Sequence, residues 1–279
     1  MFKKILFLIL ALSLVSFKNK SFLQIKGSDT MVNLVGALAE KYMELNPTEF
    51  IAITGGGSGT GISSLINGKC DIAMTSRPMK EKEIVLARSK NIEPNEFIVA
   101  LDGIAVVVHP SNPVSKLTID ELASIFTGKI KNWKEVGGKD KDIVILSREV
   151  NSGTHVYFKE HVLRKNDPNS KEEFAPSSLL LPSSQAIADE VANNPDAIGY
   201  YGMGYISSGQ KTIAVAKDKD SPYYEPTIEN IRKGNYPISR PLYFYTNGKP
   251  KGLVKKFIDF VLSEEAKKII IETDFVPIN

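Results

Sequence analysis

Three short segments of the chain place small hydroxyl residues and glycines directly before stretches with the apolar periodicity of a helix. They read Gly-Ser-Asp-Thr at 27–30, Gly-Gly-Gly-Ser-Gly-Thr-Gly at 55–61 and Arg-Glu-Val-Asn-Ser-Gly-Thr at 148–154. The first N–H groups of a helix have no intrahelical acceptor and lie at the positive end of its dipole, so each start can bind an anion. One such segment is typical of an ordinary helix cap. Three, with an arginine in the third, predict an oxyanion site assembled from distant parts of the chain.

The same segments do not match the common nucleotide-binding or hydrolase motifs. Gly56 and Gly61 have the separation of a Walker loop, but Ile62 follows where that motif needs lysine, and the third glycine of G-x-G-x-x-G is missing. A hydrolase would use Ser152 as its nucleophile. That serine lacks the G-x-S-x-G elbow, and His155, three residues later, is not assured of reaching its Oγ. The residues therefore favour binding over catalysis.

Cysteine and histidine are too sparse for a metal centre. Cys70 is the only cysteine, which excludes an intramolecular disulfide and a cysteine-based zinc site. We expect it to be a small buried hydrophobe. His109, His155 and His161 are few and badly spaced, since a separation of six places the last two on different faces of a helix. We expect no metal and no cofactor.

The first 20 residues have the pattern of a targeting segment. Met-Phe-Lys-Lys precedes an apolar run at 5–15 that is interrupted only by Ser13. That run has the length of a signal-peptide core and is too short to span a bilayer. No cysteine follows it to indicate a lipoprotein anchor. We expect 1–20 to be a signal peptide that exports the protein to a periplasmic or other extracytoplasmic space, with membrane association left open.

The charge of the chain depends on that segment. The whole chain has 35 basic and 32 acidic residues, and Lys3, Lys4, Lys18 and Lys20 all precede residue 21. The remainder carries 31 basic and 32 acidic residues, which is close to neutral. This balance argues against a nucleic-acid partner. Any anion must therefore be bound by local geometry.

Strand-like and helix-like stretches alternate along the body of the chain, which predicts an α/β fold. Apolar spacing predicts helices at 31–45, 154–165 and 252–271. The runs at 97–101 and 104–109 are typical of strands buried on both faces, and Asp102-Gly103 separates them.

The motifs occur in an order that resembles the phosphate-binding proteins of ABC-type phosphate importers. They are GSDTM at 27–31, GGGSGTGI at 55–62, DIAMTSR at 71–77, DGIAV at 102–106 and Arg148 with SGT at 152–154, with weaker marks at 126–133 and 197–200. The resemblance covers nearly the whole chain after residue 22. It implies a type II, two-lobed periplasmic-binding-protein fold that closes on inorganic phosphate in a cleft between the lobes. It also implies a permease and ATPase complex as partner, and we expect a monomer without enzymatic activity.

On that fold, the first two of the three segments lie in lobe 1 and the third lies in lobe 2. Residues 21–103 are the predicted first part of lobe 1, 104–209 lobe 2, and 210–279 the second part of lobe 1. The first two segments precede Asp102-Gly103 and the third follows it, so a ligand that touches all three must lie between the lobes and close a hinge.

The predicted phosphate site takes its residues from all these motifs: Ser28, Asp29, Thr30, Ser58, Gly59, Ser76, Arg77, Asp102, Arg148, Ser152, Gly153 and Thr154. The hydroxyls and helix N–H groups are the neutral donors that a buried dianion requires. Arg148 is the predicted positive charge, with a guanidinium fork that matches two anion oxygens. Arg77 is the rival cation, and its alternative role is an ion pair, with Asp102 as candidate partner.

Selectivity against sulfate requires an acceptor for the proton of monohydrogen phosphate. A fixed carboxylate accepts that proton and repels sulfate, which carries none. In much of the resembled family an aspartate stands where this chain has Ser76, so the identity of the acceptor is open. Asp102 is the first candidate, and Asp29, which could instead cap the first helix, is the second.

Three alternatives remain open at this point. The chain could bind another oxyanion, such as sulfate or molybdate. It could be an adhesin or a secreted phosphate scavenger without a transporter. It could be an exported enzyme acting on phosphate esters, although no base or metal set is visible for that chemistry.

Overall fold

A computed structural model describes residues 21–278 as alternating strands and helices. The strands are β1 (Ser21–Gly27), β2 (Glu49–Thr54), β3 (Ile72–Thr75), β4 (Pro94–Val108), β5 (Lys116–Thr118), β6 (Val144–Arg148), β7 (Leu179–Leu181), β8 (Ala197–Gly202), β9 (Lys211–Thr212), β10 (Ala214–Ala216) and β11 (Ser239–Asn247). The α-helices are α1 (Val32–Leu45), α2 (Ser58–Ile66), α3 (Glu81–Ser89), α4 (Ile119–Phe126), α5 (Gly153–Phe158), α6 (Ser184–Asn193), α7 (Ile228–Arg232), α8 (Gly252–Val261) and α9 (Glu264–Glu272). The predicted signal peptide lies outside the described residues.

One long strand joins two half-sheets. The main sheet has the order β2-β1-β3-β11-β4-β8-β6-β7, with β9 paired to β4, while β5 and β10 form a separate pair. The first part of β4 pairs with β11, and from Ile104 onward β4 pairs instead with β8. β1 pairs in parallel with β2 and β3, and β6 pairs in parallel with β7 and β8. Parallel strands joined through helices place their carboxyl ends at one edge, where α/β proteins bind ligands.

Each half-sheet is covered on both faces and forms a lobe. Lobe 1 comprises residues 21–103 and 239–275, with α1, α8 and α9 packed on one face and α2 and α3 on the other. Lobe 2 comprises residues 104–238, with α4, α5 and α7 on one face and α6 on the other. The chain crosses between them after Gly103 and again after Ile238, where the Ile104 N–H donates to the Ile238 carbonyl at 2.8 Å.

The chain returns to lobe 1 later than the predicted boundary at 209/210. β9 and β10 pair with β4 and β5, and Ile213, Val215 and Tyr236 pack into the core of lobe 2. These strands of two and three residues are too short to give a periodic signal that assigns them to a half-sheet.

Several predicted elements have different bounds. The runs on either side of Asp102-Gly103 form a single strand, because both residues keep their pairing with β11. The helix expected at 252–271 is interrupted at Ser263, whose Oγ accepts from the Ala266 N–H and starts α9. The helix expected at 154–165 is α5 followed by a π-helical turn at Lys159–Leu163.

Candidate functional site

Five buried hydroxyl residues from both lobes meet at the interlobe edge. We call Ser28, Thr30, Ser58, Ser76 and Thr154 the hydroxyl cluster; each is at most 2% exposed. Ser28 Oγ donates to Ser76 Oγ at 2.9 Å, and Ser58 Oγ lies 3.3 Å from Ser76 Oγ. Thr30 Oγ1 of lobe 1 and Thr154 Oγ1 of lobe 2 are 2.9 Å apart. Five members of the predicted site are thus brought together.

The local fold brings the three serine hydroxyls of the cluster together, with those of Ser28 and Ser58 within hydrogen-bond distance of that of Ser76. Ser28 follows β1 and Ser76 follows β3, so both lie at carboxyl ends of parallel strands. Gly27, the last residue of β1, has φ +146°, and a side chain there would collide with the Met74 carbonyl. Ser58 is the first residue of α2, and the preceding Gly57 has φ +92°. Glycine adopts these backbone angles at no steric cost, which explains the glycines in the motifs.

Gly153 brings the start of α5 against lobe 1. A Cβ at this position would lie 2.6 Å from Ser76 Oγ and closer still to Ser58 Oγ. The Gly59 N–H donates across the cleft to the Asn151 carbonyl at 3.0 Å. Gly153 and Gly59, both predicted site residues, therefore lie where the two lobes are in contact.

Ser152 caps α5. Its Oγ accepts from the N–H groups of Thr154 and His155, and the His155 ring lies instead beside Ser147, with 3.3 Å between Nδ1 and Ser147 Oγ. Burial lowers the pKa of His155 to about 4, an effect that the nearby Lys159 charge reinforces. The geometry gives Ser152 the role of a helix cap rather than that of an activated nucleophile.

Arg148 and Asp29 form an ion pair between the lobes, which we call the spanning pair. Arg148 is 1% exposed, and its Nη2 donates to Asp29 Oδ2 at 2.9 Å. Its Nη1 donates to Ser184 Oγ, while Asp29 Oδ1 accepts from the Gly56 N–H at 2.9 Å. Both terminal nitrogens of the Arg148 guanidinium, which were predicted to bind the anion, therefore donate to protein atoms. Asp29 binds the backbone of the glycine-rich segment at Gly56 and does not cap the helix that follows it. Burial lowers the pKa of Arg148, and the Asp29 charge opposes that shift.

Arg240, which the sequence analysis did not select, forms a second buried pair with Asp102. We call this the hinge pair because both residues adjoin the crossings between the lobes. Arg240 and Asp102 are cross-strand neighbours on β11 and β4. Nε and Nη2 of Arg240 donate to Asp102 Oδ2 at 3.0 and 2.8 Å, and Asp102 Oδ1 accepts from the Met203 N–H at 3.2 Å. Burial raises the pKa of Asp102, whereas the charge and hydrogen bonds of Arg240 oppose the rise.

The hinge pair touches the hydroxyl cluster directly. Arg240 Nη2 donates to Thr154 Oγ1 at 2.9 Å and lies 3.4 Å from Thr30 Oγ1. The only signal for Arg240 in the sequence is that it is the single charged residue of β11, next to the apolar run that starts at Pro241. A charge in such a position needs a buried partner. The sequence does not indicate that this partner is Asp102.

Arg77 is not part of the cluster. Its guanidinium donates from both terminal nitrogens to the Glu83 carboxylate at 2.8 Å, within lobe 1. The prediction that Arg77 is a site residue is therefore corrected. Its alternative role, an ion pair, is observed with Glu83, and the partner of Asp102 is Arg240.

Arg148 and Arg240, the two arginines at the interlobe edge, each have one buried nitrogen without a hydrogen-bond partner. Within residues 21–278, the buried side-chain nitrogens and oxygens that lack a hydrogen bond are Arg77 Nε, Arg148 Nε, Ser178 Oγ and Arg240 Nη1. A buried donor without an acceptor is costly. An anion oxygen at the cluster would supply acceptors for Arg148 and Arg240.

Further contacts hold the two lobes together. Asn151 Nδ2 donates to the Gly56 carbonyl at 2.9 Å, and the Tyr205 hydroxyl donates to the Asp29 carbonyl at 2.6 Å. Lys80 and Glu160 form an ion pair of 3.0 Å across the same cleft. The structure is thus a closed state, in which the cluster is shielded from water.

The part of the chain that the structure describes has neither a metal-binding cluster nor a helix that could span a membrane. Residues 21–278 contain no group of three or more His, Cys, Asp or Glu side chains arranged to hold a metal ion. Among the helices of the same residues, none is both long and apolar enough to cross a membrane.

Comparison with known proteins identifies relatives over most of the chain. A family model described as a PBP superfamily domain matches residues 17–265. The chain is 36% identical to the phosphate-binding protein PstS of Bacillus subtilis, over 94% of this chain and 82% of the relative. It is 32% identical to the phosphate-binding protein PstS of Pseudomonas aeruginosa, over 90% of this chain and 81% of that protein.

Solved structures agree with these relatives. A putative phosphate ABC transporter substrate-binding protein from Clostridium perfringens, with bound phosphate, superposes with a TM-score of 0.83 at 33% identity, over 93% of this chain and 100% of that one. An ABC-type phosphate transport receptor from Vibrio cholerae gives a TM-score of 0.71 at 35% identity, over 91% of this chain and 99% of that one. The predicted α/β fold with two lobes of the type II class is confirmed.

Proposed function

This chain belongs to the PBP superfamily and, within it, to the family of PstS phosphate-binding proteins, and we propose that it captures inorganic phosphate between its lobes for an ABC importer. The observation that carries the proposal is the convergence of the five-residue hydroxyl cluster with two buried arginines that each keep an unpartnered N–H. Its chemistry is binding and release, and no bond of the ligand is broken.

The electrostatics of the site fit a dianion that enters and leaves. Each arginine is already balanced by one aspartate, so the closed site carries no large net charge before phosphate arrives. The hydroxyls, together with the first N–H group of α2 at Ser58 and of α5 at Gly153, then supply neutral donors. A site built mainly from neutral dipoles stabilises a dianion without a surplus of fixed positive charge that would hinder release.

We assign the phosphate contacts to residues of both lobes. Lobe 1 contributes Ser28, Thr30, Ser58 and Ser76, whereas the Gly59 N–H, the only donor of that predicted site residue, is directed to the Asn151 carbonyl. Lobe 2 contributes Ser152, Gly153, Thr154 and Arg148, whose Nε is the unpartnered donor. In this assignment Asp29 orients Arg148 through the spanning pair and does not contact the ligand.

Asp102 is the proposed acceptor for the phosphate proton. Its Oδ2 is held by Arg240, whereas its Oδ1 accepts one N–H, from Met203. A carboxylate oxygen can accept more than one hydrogen bond, so Oδ1 has capacity for the ligand proton. Asp29 is less suited, because both of its oxygens are occupied by Arg148 and Gly56.

We propose the delivery route and the location that are typical of this family. The proposed partners are the permease and ATPase subunits of a phosphate importer, which the substrate-binding protein meets outside the cytoplasm. We propose that residues 1–20 direct export and are removed, and that the mature protein acts as a monomer. A protein that captures one ion per closed cleft needs no second copy to complete its site.

Titration calorimetry with the chain lacking residues 1–20 tests the function. Phosphate, sulfate and molybdate are titrated separately at neutral pH. We expect one phosphate per chain, with sulfate at least 100-fold weaker. Preferential binding of sulfate or molybdate would assign the chain to another oxyanion, and absence of binding to all three would overturn the proposal.

A further inference from the structure

Arg240 is a buried cation whose hydrogen bonding is incomplete. It is 2% exposed, and its Cζ lies 5.6 Å from the centre of the Tyr157 ring. A guanidinium has five N–H donors and no acceptor. Nε and Nη2 are directed to Asp102 and the cluster threonines, whereas Nη1 is without a hydrogen-bond partner within the described residues.

Neutralising Asp102 accounts for the presence of a buried cation at position 240, but it does not account for where the guanidinium lies. An arginine that served only to neutralise Asp102 would need no contacts beyond the two hydrogen bonds to Oδ2. The same guanidinium also contacts Thr30 of lobe 1 and Thr154 of lobe 2. It therefore lies at the hydroxyl cluster, with one nitrogen still free to donate.

The hinge pair is built to keep that nitrogen in place. Arg240 and Asp102 are cross-strand neighbours, and such neighbours point to the same face of a sheet. Both strands belong to lobe 1 at this point, so opening the cleft does not separate the pair. Two hydrogen bonds to one carboxylate also fix the plane of the guanidinium.

We propose that Arg240 is a direct ligand of the bound oxyanion, donating from Nη1, so that each lobe contributes one arginine to the site. The proposal rests on the phosphate-binding function above. Arg148 reaches the anion from lobe 2, and Arg240 reaches it from lobe 1 before closure. Asp102 acts on Arg240 as a positioning residue, in addition to its proposed role as proton acceptor.

The test separates contact with the anion from neutralisation of Asp102. Calorimetry measures phosphate and sulfate affinity for Arg240→Gln and Arg240→Lys, each made in the natural chain and together with Asp102→Asn. In the Asp102→Asn background no buried carboxylate is left unpaired, so these variants remain informative if Arg240→Gln alone does not fold. Arg77→Gln is the matched control, because Arg77 is also a buried arginine with two bonds to one carboxylate.

We expect Arg240→Gln to weaken phosphate binding at least 30-fold in both backgrounds, and Arg240→Lys to retain part of the affinity. Arg77→Gln should change it less than threefold. If Arg240→Gln with Asp102→Asn binds both anions as tightly as Asp102→Asn alone, Arg240 only neutralises Asp102 and the proposal is overturned. Failure of the unaltered chain to bind phosphate would instead refute the function itself.

Discussion

The spanning pair and the hinge pair are similar in chemistry but differ in what holds them. Arg148 and Asp29 come from different lobes, so opening the cleft would separate them. Arg240 and Asp102 lie on adjacent strands of one lobe, so opening the cleft would leave them together. One buried ion pair therefore changes with the conformation of the protein, and the other does not.

Because one pair joins the two lobes and the other lies within one lobe, the two pairs have different effects on binding. An ion pair that forms on closing shifts the balance between open and closed states, and so contributes to affinity through that balance. A pair that persists acts as part of a preorganised surface for the ligand. Substitutions at the spanning pair should alter closure and binding together, whereas substitutions at the hinge pair should alter binding and selectivity.

The largest effect is expected at the spanning pair. Arg148→Ala removes a buried cation from the site and leaves Asp29 unpaired, a type of loss that costs about 3–5 kcal/mol. Calorimetry should detect no phosphate binding in the micromolar range. Arg148→Lys should keep only part of the affinity, because an ammonium does not reproduce the planar fork. Loss of binding in Arg77→Ala together with normal binding in Arg148→Ala would invert this assignment.

A change at the hinge pair should affect discrimination. Asp102→Asn keeps the shape but replaces a charged acceptor with a neutral amide that can also donate. Phosphate affinity should fall by about 1.5–3 kcal/mol, the range of a hydrogen bond to a charged group. Sulfate should bind no worse, because a repulsive charge has been removed. An unchanged preference for phosphate over sulfate would move the acceptor elsewhere, and Asp29→Asn would be tested next.

Steric blocking of closure should have a smaller effect. A Cβ added by Gly153→Ala falls within 2.6 Å of Ser76 Oγ across the cleft. Such overpacking costs about 1–3 kcal/mol. Phosphate binding should weaken about 10-fold, and small-angle scattering should show less compaction on adding phosphate. Gly36→Ala is the control, since a Cβ at Gly36 meets no atom within 4 Å apart from the adjoining backbone of its own helix. Full compaction in Gly153→Ala would show that this contact does not limit closure.

The smallest effect is expected at the exposed contact beside the spanning pair. Asn151→Ala removes the hydrogen bond from Nδ2 to the Gly56 carbonyl across the cleft. A hydrogen bond of this kind contributes about 0.5–1.5 kcal/mol. Phosphate affinity should fall a few fold, with unchanged selectivity. Asn67→Ala, which removes exposed bonds of Asn67 to Ser63 within lobe 1, should leave affinity unchanged.

The sequence predicted the components that local patterns determine. Hydroxyl residues beside glycines at helix starts form a local pattern, so Ser28, Ser58 and Ser152 were identified from their neighbours alone. Of the three, only Ser152 caps its helix with its side chain. A capping box likewise depends only on residues three positions apart: at the start of α4, away from the site, the Glu121 N–H donates to Thr118 Oγ1 at 3.2 Å.

Pairings between distant residues could not be predicted in the same way. Arg240 meets Asp102 only because β11 pairs with β4, 138 positions apart in the chain. The residues around Arg77 do not indicate whether its partner is Glu83 or a bound anion. A carboxylate and an oxyanion each bind a guanidinium through two oxygens, and the structure shows the carboxylate of Glu83. The late return to lobe 1 depends on the pairing of β9 and β10, which are too short to show periodicity.

A crystal structure of the phosphate complex tests the central claim most directly. We predict one phosphate between the lobes, contacted by hydroxyls of both Thr30 and Thr154, with Arg148 Nε and Arg240 Nη1 each within hydrogen-bond distance of a phosphate oxygen. A phosphate bound to one lobe alone, or at a place remote from the hydroxyl cluster, would contradict the account.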